Sequence, residues 1–480
     1  MTTTSLLQPR IEAPSRHGWL VAALALFLGA AGAGYGLAVG ELDALYVAVA
    51  AAACVAILFD FRTGGILLVL LLPVSSTSLF PHSLMGMTGL NPINVLMVGT
   101  LGAYLLRGRV GYTGTLLPRP LLLLYILPIV AAGLLGSLHV HDVHPDFFER
   151  MLISYTNASG YLRDVVAKPM LTVLAAVLVA AAVAKAPKPE PYVAALAIGA
   201  CALACVMFGF IIASEVRLGW LASPRARSFF LEVGPHANAL GRLFVTAYAL
   251  LLFAWWEAKH APSRLALFVA LGILCFGILF TFSRNAFLGF FLVNALFLVW
   301  RFNAKKLALA LLGLGVAMAL APEYVYRRLT YGFDSGSADA VSAGRVEGIW
   351  APLLPETLRS PLWGSGLDST MWAYPLTSGA MDLVSHPHNA YLEALLDMGL
   401  IGLALLLAYY WHVWKGFRAL GSNAYLSPMV RGFFQGACAA LVAFALAGVS
   451  GGSLRPQPEN VLLWMAIGMM YGVLARKPAS

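Results

Sequence analysis

Long apolar stretches, separated by short polar connections, run along almost the whole chain. An α-helix needs about 20 apolar residues to cross a bilayer, so the pattern predicts a bundle of transmembrane helices. Several stretches are short and can merge or re-enter the membrane, so we expect about 12–14 spans. The predicted spans are residues 19–40, 44–59, 64–81, 91–106, 119–137, 169–186, 191–213, 238–256, 265–282, 286–300, 306–321, 389–414, 429–450 and 459–475.

Composition indicates the same fold class. Of the 480 residues, 60% are hydrophobic and only 11% are charged, whereas roughly a quarter of the residues of a soluble domain are charged. The apolar run from Trp19 is too long for the core of a cleaved signal peptide, so we expect it to be the first transmembrane helix. The five cysteines lie in apolar runs without a CxxC pair, which favours small buried side chains over metal or redox roles. We predict an all-α polytopic integral membrane protein.

Lysine and arginine in the connections predict the orientation. With both termini in the cytoplasm, 18 of the 31 cations fall in cytoplasmic connections, as the positive-inside rule requires. We assign the net charge of +9 first to this topology, and we expect no nucleic-acid partner. The predicted organisation is a cytoplasmic tail at 1–18, membrane helices at 19–321 with outer loops at 138–168 and 214–237, a large outer loop module at 322–388, membrane helices at 389–475 and a cytoplasmic tail at 476–480.

The cations of the two faces differ in type. Lysine supplies 7 of the 18 cations inside but only 1 of the 13 outside. Arginine binds phosphate or carboxylate through two parallel hydrogen bonds, whereas lysine acts as a point charge. The outer face is therefore expected to bind an oxyanion. Codon bias with ordinary loop salt bridges is the alternative, although it does not explain why lysine persists inside.

The densest polar motif, Ser385-His386-Pro387-His388-Asn389, joins the outer module to an apolar helix. Asn389, Glu393 and Asp397 are spaced i, i+4 and i+8, which places them on one helix face. Ionisable groups in a membrane helix usually face a bundle interior or a wet cavity and are functional candidates. His388 can act as a base near neutral pH.

Polar residues in the other outer connections are further candidates for binding an anion. Helix N-termini and arginines at the membrane boundary both favour such ligands. These residues are Arg163 and Lys168 at the end of loop 138–168, Asn238 and Arg242 at the helix start after loop 214–237, Arg284 in the tight turn 281–285, and Arg345 in the outer module.

Two kinds of site are not indicated. His139, His141, Asp142 and His144 alternate like metal ligands, but no fourth ligand at a fixed spacing is evident, which favours solvated histidines over a zinc site. The sequence has no P-loop and no GxGxxG after a strand, and no DxD-type pair on the cytoplasmic side, so a cytosolic nucleotide-sugar enzyme is not expected.

Taken together, the motifs resemble the O-antigen ligase and O-antigen polymerase superfamily, over residues 90 to 475. No single motif is specific, but their order, spacing and outer placement are. The residues that carry the resemblance are Thr281-Phe282-Ser283-Arg284, Ser342-Ala343-Gly344-Arg345 with Trp350, His388-Asn389-Ala390-Tyr391-Leu392-Glu393 followed by Asp397, Gly399 and Gly402, and the earlier Asn91-Pro92-Ile93-Asn94 and Ala237-Asn238-Ala239-Leu240-Gly241 turns.

The resemblance implies a GT-C-like glycosyltransferase of the bacterial inner membrane, with its active site facing the periplasm and no metal or other cofactor. The donor would be a glycan on undecaprenyl diphosphate. The acceptor would be lipid A-core in the ligase branch, a lipid-linked repeat in the polymerase branch, and a protein in a third branch. The family pattern assigns catalysis to His388, Arg284 and Arg345. The register favours His388 over His386, and Asn238 is a weaker correspondence because the turn departs from the common Asn-Pro-Asn form.

These residues support a mechanism in which arginines clamp the diphosphate and His388 takes the proton of the acceptor hydroxyl. Glu393 or Asp397, or partners from other spans, would hold the imidazole. Direct attack by one acceptor predicts inversion at the anomeric carbon. The substrate-binding candidates are Arg163, Lys168, Arg242, Asn238, Asn389, Tyr391, Glu393 and His386.

A transporter for the same lipid-linked glycan is the competing class. It would place charge near the midplane of broken helices and often show internal repeats. Here the unusual charge gathers at one face, and no repeat between the halves is evident. We therefore favour an enzyme, and a ligase over a polymerase on the whole-chain resemblance.

Overall fold

The computed structural model describes residues 42–78, 80–84, 87–108, 117–301, 323–330 and 336–476, with isolated positions between 302 and 322. This part is helical except for one short hairpin, in which β1 (Ser83–Leu84) pairs antiparallel with β2 (Met87–Thr88). The helices are α1 (Leu42–Phe59), α2 (Phe61–Leu71), α3 (Pro92–Ala103), α4 (Arg119–Asp142), α5 (Asp146–Glu149), α6 (Ala158–Lys185), α7 (Glu190–Ala213), α8 (Leu218–Leu221), α9 (Ala237–Glu257), α10 (Ala261–Phe280), α11 (Arg284–Arg301), α12 (Glu323–Thr330), α13 (Ala338–Ser342), α14 (Ala351–Leu353), α15 (Tyr374–Thr377), α16 (Ala390–Gly421), α17 (Pro428–Gly448) and α18 (Val461–Leu474). The all-α prediction is confirmed.

Seven of the described helices are long and apolar enough to cross a membrane, namely α4, α6, α7, α9, α10, α16 and α17. Shorter apolar helices lie at Val49–Phe59, Phe61–Leu71 and Pro92–Leu106. The chain is a multi-pass membrane protein. The predicted span 19–40, most of the span 306–321 and the N-terminal tail lie outside the described residues, so the total of 12–14 spans stays a prediction.

The chain divides into two compact units. The first comprises Met1–Leu68 with Phe80–Tyr112, and the second comprises Val69–Leu79 with Thr113–Ser480. In the first unit α1 packs on α3, where the Cys54 thiol donates to the Val95 carbonyl at 3.6 Å. Every candidate site residue belongs to the second unit.

The centre of the second unit is the pair α9 and α17. α9 is the most buried of the seven spans, because 83% of its 18-residue apolar stretch lies inside the protein. It packs most extensively on α17. Gly432 and Gly436, one turn apart, bring α17 against the α9 backbone, where a Cβ at either position would meet the Phe253 or Ala249 carbonyl oxygen at 2.3 Å. Small residues at i and i+4 permit this close approach in membrane helices.

The outer module packs onto the start of α16. Within the described residues 336–388, Ile349, Leu353 and Ala373 form an apolar cluster with Leu392 and Leu396 of α16. The module is therefore anchored on the bundle by its own small core.

α16 is broken at Gly399, whose φ of 63° and ψ of −169° are not helical. Loop segment 360–366 crosses the break. The Leu400 and Ile401 amides donate to the Pro361 and Leu362 carbonyls at 2.8 and 3.2 Å, and the Leu396 carbonyl accepts from Ser365 at 2.8 Å. The loop thus replaces hydrogen bonds that the broken helix has lost, as backbone groups at membrane depth require.

Candidate active site

His388 lies in a strained turn immediately before α16. Its φ of 54° is in the left-handed region, which non-glycine residues rarely adopt. The turn is held on both sides: Trp350 Nε1 donates to the Pro387 carbonyl at 2.7 Å, and Asn389 caps α16 by accepting from the Tyr391 and Leu392 amides at 3.0 and 3.1 Å. Strain that the surroundings hold in place is common at functional sites.

His388 has an unusual electrostatic environment. Burial, together with the neighbouring His386, Arg345, Arg242 and His236, lowers the pKa of His388 to about 3. The rings of His386 and His388 are 4.2 Å apart, edge to face. The imidazole of His388 is therefore neutral at physiological pH, and the space around it favours an anion.

Two of the predicted arginines reach the loop between α17 and α18, residues 449–460, which we call the 449–460 loop. Arg345 Nη1 donates to the Ser450 carbonyl at 2.5 Å. Arg242 Nη2 donates to Glu459 at 2.7 Å, with both side chains mostly buried. Arg242 Nε is buried and has no hydrogen-bond partner among the described residues.

The tight turn 281–285 meets the start of α9. Ser283 Oγ donates to Asn238 Oδ1 at 2.8 Å, and the Asn238 amide donates to His236 Nδ1 at 3.1 Å. Arg284 is the first residue of α11, as the sequence predicts for a cation at the membrane boundary. Two of the motifs that carry the family resemblance, far apart in the chain, are thus in direct contact.

A small, mostly apolar groove opens beside Arg242, between α9, α11, α17 and the 449–460 loop. Its polar lining residues are Arg242, Thr246, Asn285, Ser453, Glu459 and Asn460, and the rest of the lining is apolar or glycine. The lining residues of the helices are Arg242, Val245, Thr246, Asn285, Ala286, Gly289, Ala443, Phe444, Ala447 and Gly448.

Arg455, in the 449–460 loop, forms a buried network that the sequence analysis missed. Its Nη2 is 2.6 Å from both Asp368 Oδ1 and Glu393 Oε1, and 4.0 Å from Asp397 Oδ2. Ser453 Oγ also donates to Glu393, at 3.1 Å. Burial lowers the pKa of Arg455, but the three carboxylates outweigh that effect and raise it overall. The network ties the outer module, α16 and the 449–460 loop together.

The network also revises the expected roles of two carboxylates. Glu393 and Asp397 do share one face, as the spacing predicts, but that face meets Arg455, and Asp397 Oδ1 accepts from the Ser369 amide and hydroxyl at 3.1 and 2.8 Å. Glu393 is thus held by Arg455 and Ser453, and Asp397 by Ser369.

Three other candidate residues, Arg163, Lys168 and Tyr391, pair with groups other than His388. Arg163 and Lys168 both pair with Asp164, at 2.9 and 2.7 Å, and neither is among the charges that act on His388. Tyr391 donates its hydroxyl to the Ala445 carbonyl at 2.7 Å, which joins α16 to α17. The structure thus gathers His386, His388, Arg242 and Arg345, and leaves Arg163 and Lys168 in a separate cluster.

Possible metal ligands gather in one place among the described residues, at Asp368, Glu393 and Asp397. The Arg455 guanidinium already contacts two of these carboxylates, so a cation would compete with it. The histidine pattern of the first outer loop divides into two pairs, with His139 2.9 Å from Asp142 and His144 3.8 Å from Asp146.

Part of the chain is similar in sequence to known proteins. Residues 269–407 match the model of a family described as O-antigen ligase. This range runs from α10 to α16 and includes Arg284, Arg345 and His388, whereas Arg242 and Arg455 lie outside it.

The chain is also similar to the "Putative polysaccharide ligase" of Rickettsia bellii (strain RML369-C), with 26% identity over 191 residues. The match covers 38% of this chain and 46% of the relative, so the two proteins align over less than half of their lengths. Both comparisons support a ligase-type enzyme. Over residues 269–407, the chain is similar to the O-antigen ligase family.

Proposed function

We propose that the protein is an O-antigen ligase. It would move a glycan from undecaprenyl diphosphate to a lipid A-core acceptor at the periplasmic face of the bacterial inner membrane. The observation that carries the proposal is the placement of Arg242 and Arg345 near the neutral His388, with Arg242 also lining an apolar groove. A lipid-linked donor needs both features, because its diphosphate is anionic and its polyprenyl chain is hydrocarbon.

The arginines bind the leaving group in this scheme. Arg242 and Arg345, with Arg284 at the N-terminus of α11, would neutralise the diphosphate and the charge that develops on its bridging oxygen. One such donor in a water-poor site is worth about 2.7–4 kcal/mol of barrier. Two or three together would account for much of the catalysis, with this chain's own cations stabilising the leaving group.

His388 activates the acceptor. The acceptor hydroxyl oxygen attacks the anomeric carbon, the bond from that carbon to the diphosphate oxygen breaks with its electron pair, and the hydroxyl proton passes to His388. Since one bond forms as the opposite one breaks, the product is inverted at the anomeric carbon. A general base raises the rate of such a reaction by roughly 10²–10⁴-fold.

Donor binding prepares His388 for this role. Burial and the surrounding cations hold the imidazole neutral, which keeps it available as a proton acceptor but makes it a weak base. A bound diphosphate compensates those cations and makes the imidazolium easier to form. Donor binding should therefore raise the pKa of His388 and make it a stronger base.

The test is transfer by the full-length protein in lipid nanodiscs, with lipid-linked glycan as donor, lipid A-core as acceptor, and EDTA present. We expect a lipopolysaccharide ladder from the wild type. His388→Ala should lower the rate of transfer by about 10²–10⁴-fold. Arg242→Ala or Arg345→Ala should lower it by about 10²–10³-fold.

The matched controls are His139→Ala and Arg150→Ala, exposed residues of the first outer loop that pair locally with acidic neighbours. They should retain wild-type transfer. Lengthening of the lipid-linked glycan with no use of lipid A-core would make the protein a polymerase. Movement of the glycan across the bilayer without any transfer would make it a transporter, and either result would overturn the ligase proposal.

A further inference from the structure

An apolar stripe lies on the outer module beside α16. It consists of Leu354, Leu358, Leu362 and Trp363, and each of these side chains is between 52% and 77% exposed. They lie within ten consecutive residues, in the short 3-10 helix Leu354–Leu358 and the turn that follows it. A water-facing surface rarely carries so many large apolar side chains in one stripe.

The backbone fixes how deep this stripe lies. Leu400 and Ile401, just after the break in α16, donate to the carbonyls of Pro361 and Leu362. A Cβ on Gly399 would meet the Leu362 carbonyl carbon at 2.3 Å, so the two backbones are in contact. The end of the stripe is therefore at the same membrane depth as Leu400.

The length of α16 places Leu400 inside the hydrocarbon layer. The other end of the span is marked by Lys415, whose Nζ lies 5.6 Å from the ring centre of Trp411, a pair typical of a membrane interface. The 15 residues between Leu400 and Lys415 span about 22 Å, and the hydrocarbon layer is about 30 Å thick. Leu400 is then roughly 8 Å below the outer boundary, within the depth of about 5–10 Å that interfacial helices reach.

The surroundings fit an interfacial position. Leu400, Leu407 and Trp411 are exposed on α16, at spacings that place them on one lipid-facing side of the span. Arg359, which follows the stripe's second leucine, lies over the Tyr374 ring at 5.4 Å. Arginine and tyrosine next to an apolar stripe are typical of segments at headgroup level.

We propose that Leu354, Leu358, Leu362 and Trp363 insert into the acyl chains of the outer leaflet. The outer module is then a membrane-dipping element, continuous with the lipid-facing side of α16, and not a water-exposed lid. This inference does not depend on the reaction that the protein catalyses.

The test uses full-length protein in nanodiscs, with the five native cysteines replaced by alanine and a polarity-sensitive fluorophore attached at Leu358→Cys or Leu362→Cys. Leu407→Cys within the span and the fully exposed Tyr425→Cys serve as lipid and water controls. We expect loss of fluorescence with nitroxide-labelled acyl chains, as at position 407, and little loss with iodide.

Quenching by iodide as at position 425 would overturn the proposal, and quenching by neither agent would show that protein covers the stripe, which also overturns it. Wild-type protein gives a second readout that needs no substitution. In hydroxyl-radical footprinting in nanodiscs, Trp363 should be protected like the buried Trp464, whereas Tyr425 should be oxidised readily. Equal oxidation of Trp363 and Tyr425 would contradict insertion.

Discussion

Replacing Arg455 with methionine should strongly destabilise the folded protein. Arg455 contacts Asp368 and Glu393 at 2.6 Å each, and its side chain is 10% exposed. Charges about 3 Å apart attract by roughly 5–6 kcal/mol at an effective dielectric constant of 20. The full attraction is not lost, however, because a carboxylate left alone can take up a proton instead.

The free energy of this protonation limits how much stability the substitution can remove. Protonating one ordinary carboxyl group at pH 7 costs about 4 kcal/mol, so Arg455→Met should lower the free energy of unfolding by about 3–5 kcal/mol, the usual cost of breaking a buried ion pair. The same cost is only about 1–2 kcal/mol at pH 5. The penalty of the substitution should therefore shrink by more than half between pH 7 and pH 5.

The assay is unfolding by SDS titration in mixed micelles at both pH values. Arg327→Met is the exposed control, because its pair with Glu323 is about three-quarters exposed and should contribute at most about 1 kcal/mol. Asp397→Asn is the contrasting variant within the network. Asp397 Oδ2 is buried without a hydrogen-bond partner among the described residues, so Asp397→Asn removes surplus negative charge and should change stability by less than about 1 kcal/mol.

Two results would refute this reasoning. A loss below about 1 kcal/mol for Arg455→Met at pH 7 would mean that the carboxylates are satisfied in another way. A large loss that is equal at pH 5 and pH 7 would mean that packing, and not charge, makes Arg455 important.

Four further predictions test other parts of the structure. Because its folded pKa of about 3 is below the unfolded value of 6.5, His388 should reduce stability as pH falls from 6.5 towards 3, and His388→Gln should remove that part of the slope in thermal unfolding. Gly399→Ala should destabilise by more than about 3 kcal/mol in SDS unfolding, since strain and a backbone clash add, whereas Gly272→Ala, with no described atom within 4 Å, should be neutral or stabilising. Glu459→Gln should leave Arg242 less neutralised, so inorganic pyrophosphate should inhibit transfer at several-fold lower concentration; unchanged inhibition would count against Arg242 as a diphosphate ligand. NMR of the product should show an inverted anomeric linkage, and a retained one would exclude direct attack.

The local features of the site were predictable from sequence. The Pro387-His388-Asn389 turn carries a helix-start signal, and α16 begins at Ala390 with Asn389 as its cap. Arg284 follows a connection too short to be anything but a turn, and it begins α11. In both places the neighbouring residues alone determine the backbone.

The long-range features were not predictable. The 449–460 loop has the composition of an ordinary connection, and nothing local indicates that Arg242 and Arg345 reach it or that Arg455 is buried. The break in α16 is hidden in the same way, because residues 389–414 form one continuous apolar run in which Gly399 resembles Gly402. Only the segment that crosses the break, about 40 residues earlier in the chain, makes Gly399 different.

The broken helix has a consequence for how the protein is made. Amide groups in the middle of α16 find their acceptors on residues 361 and 362, which are synthesised before the helix and belong to the outer module. Those amides stay unsatisfied until that earlier segment has docked against the helix. Biogenesis therefore has an order: α16 completes its backbone hydrogen bonds only after the earlier segment 360–366 has docked against it.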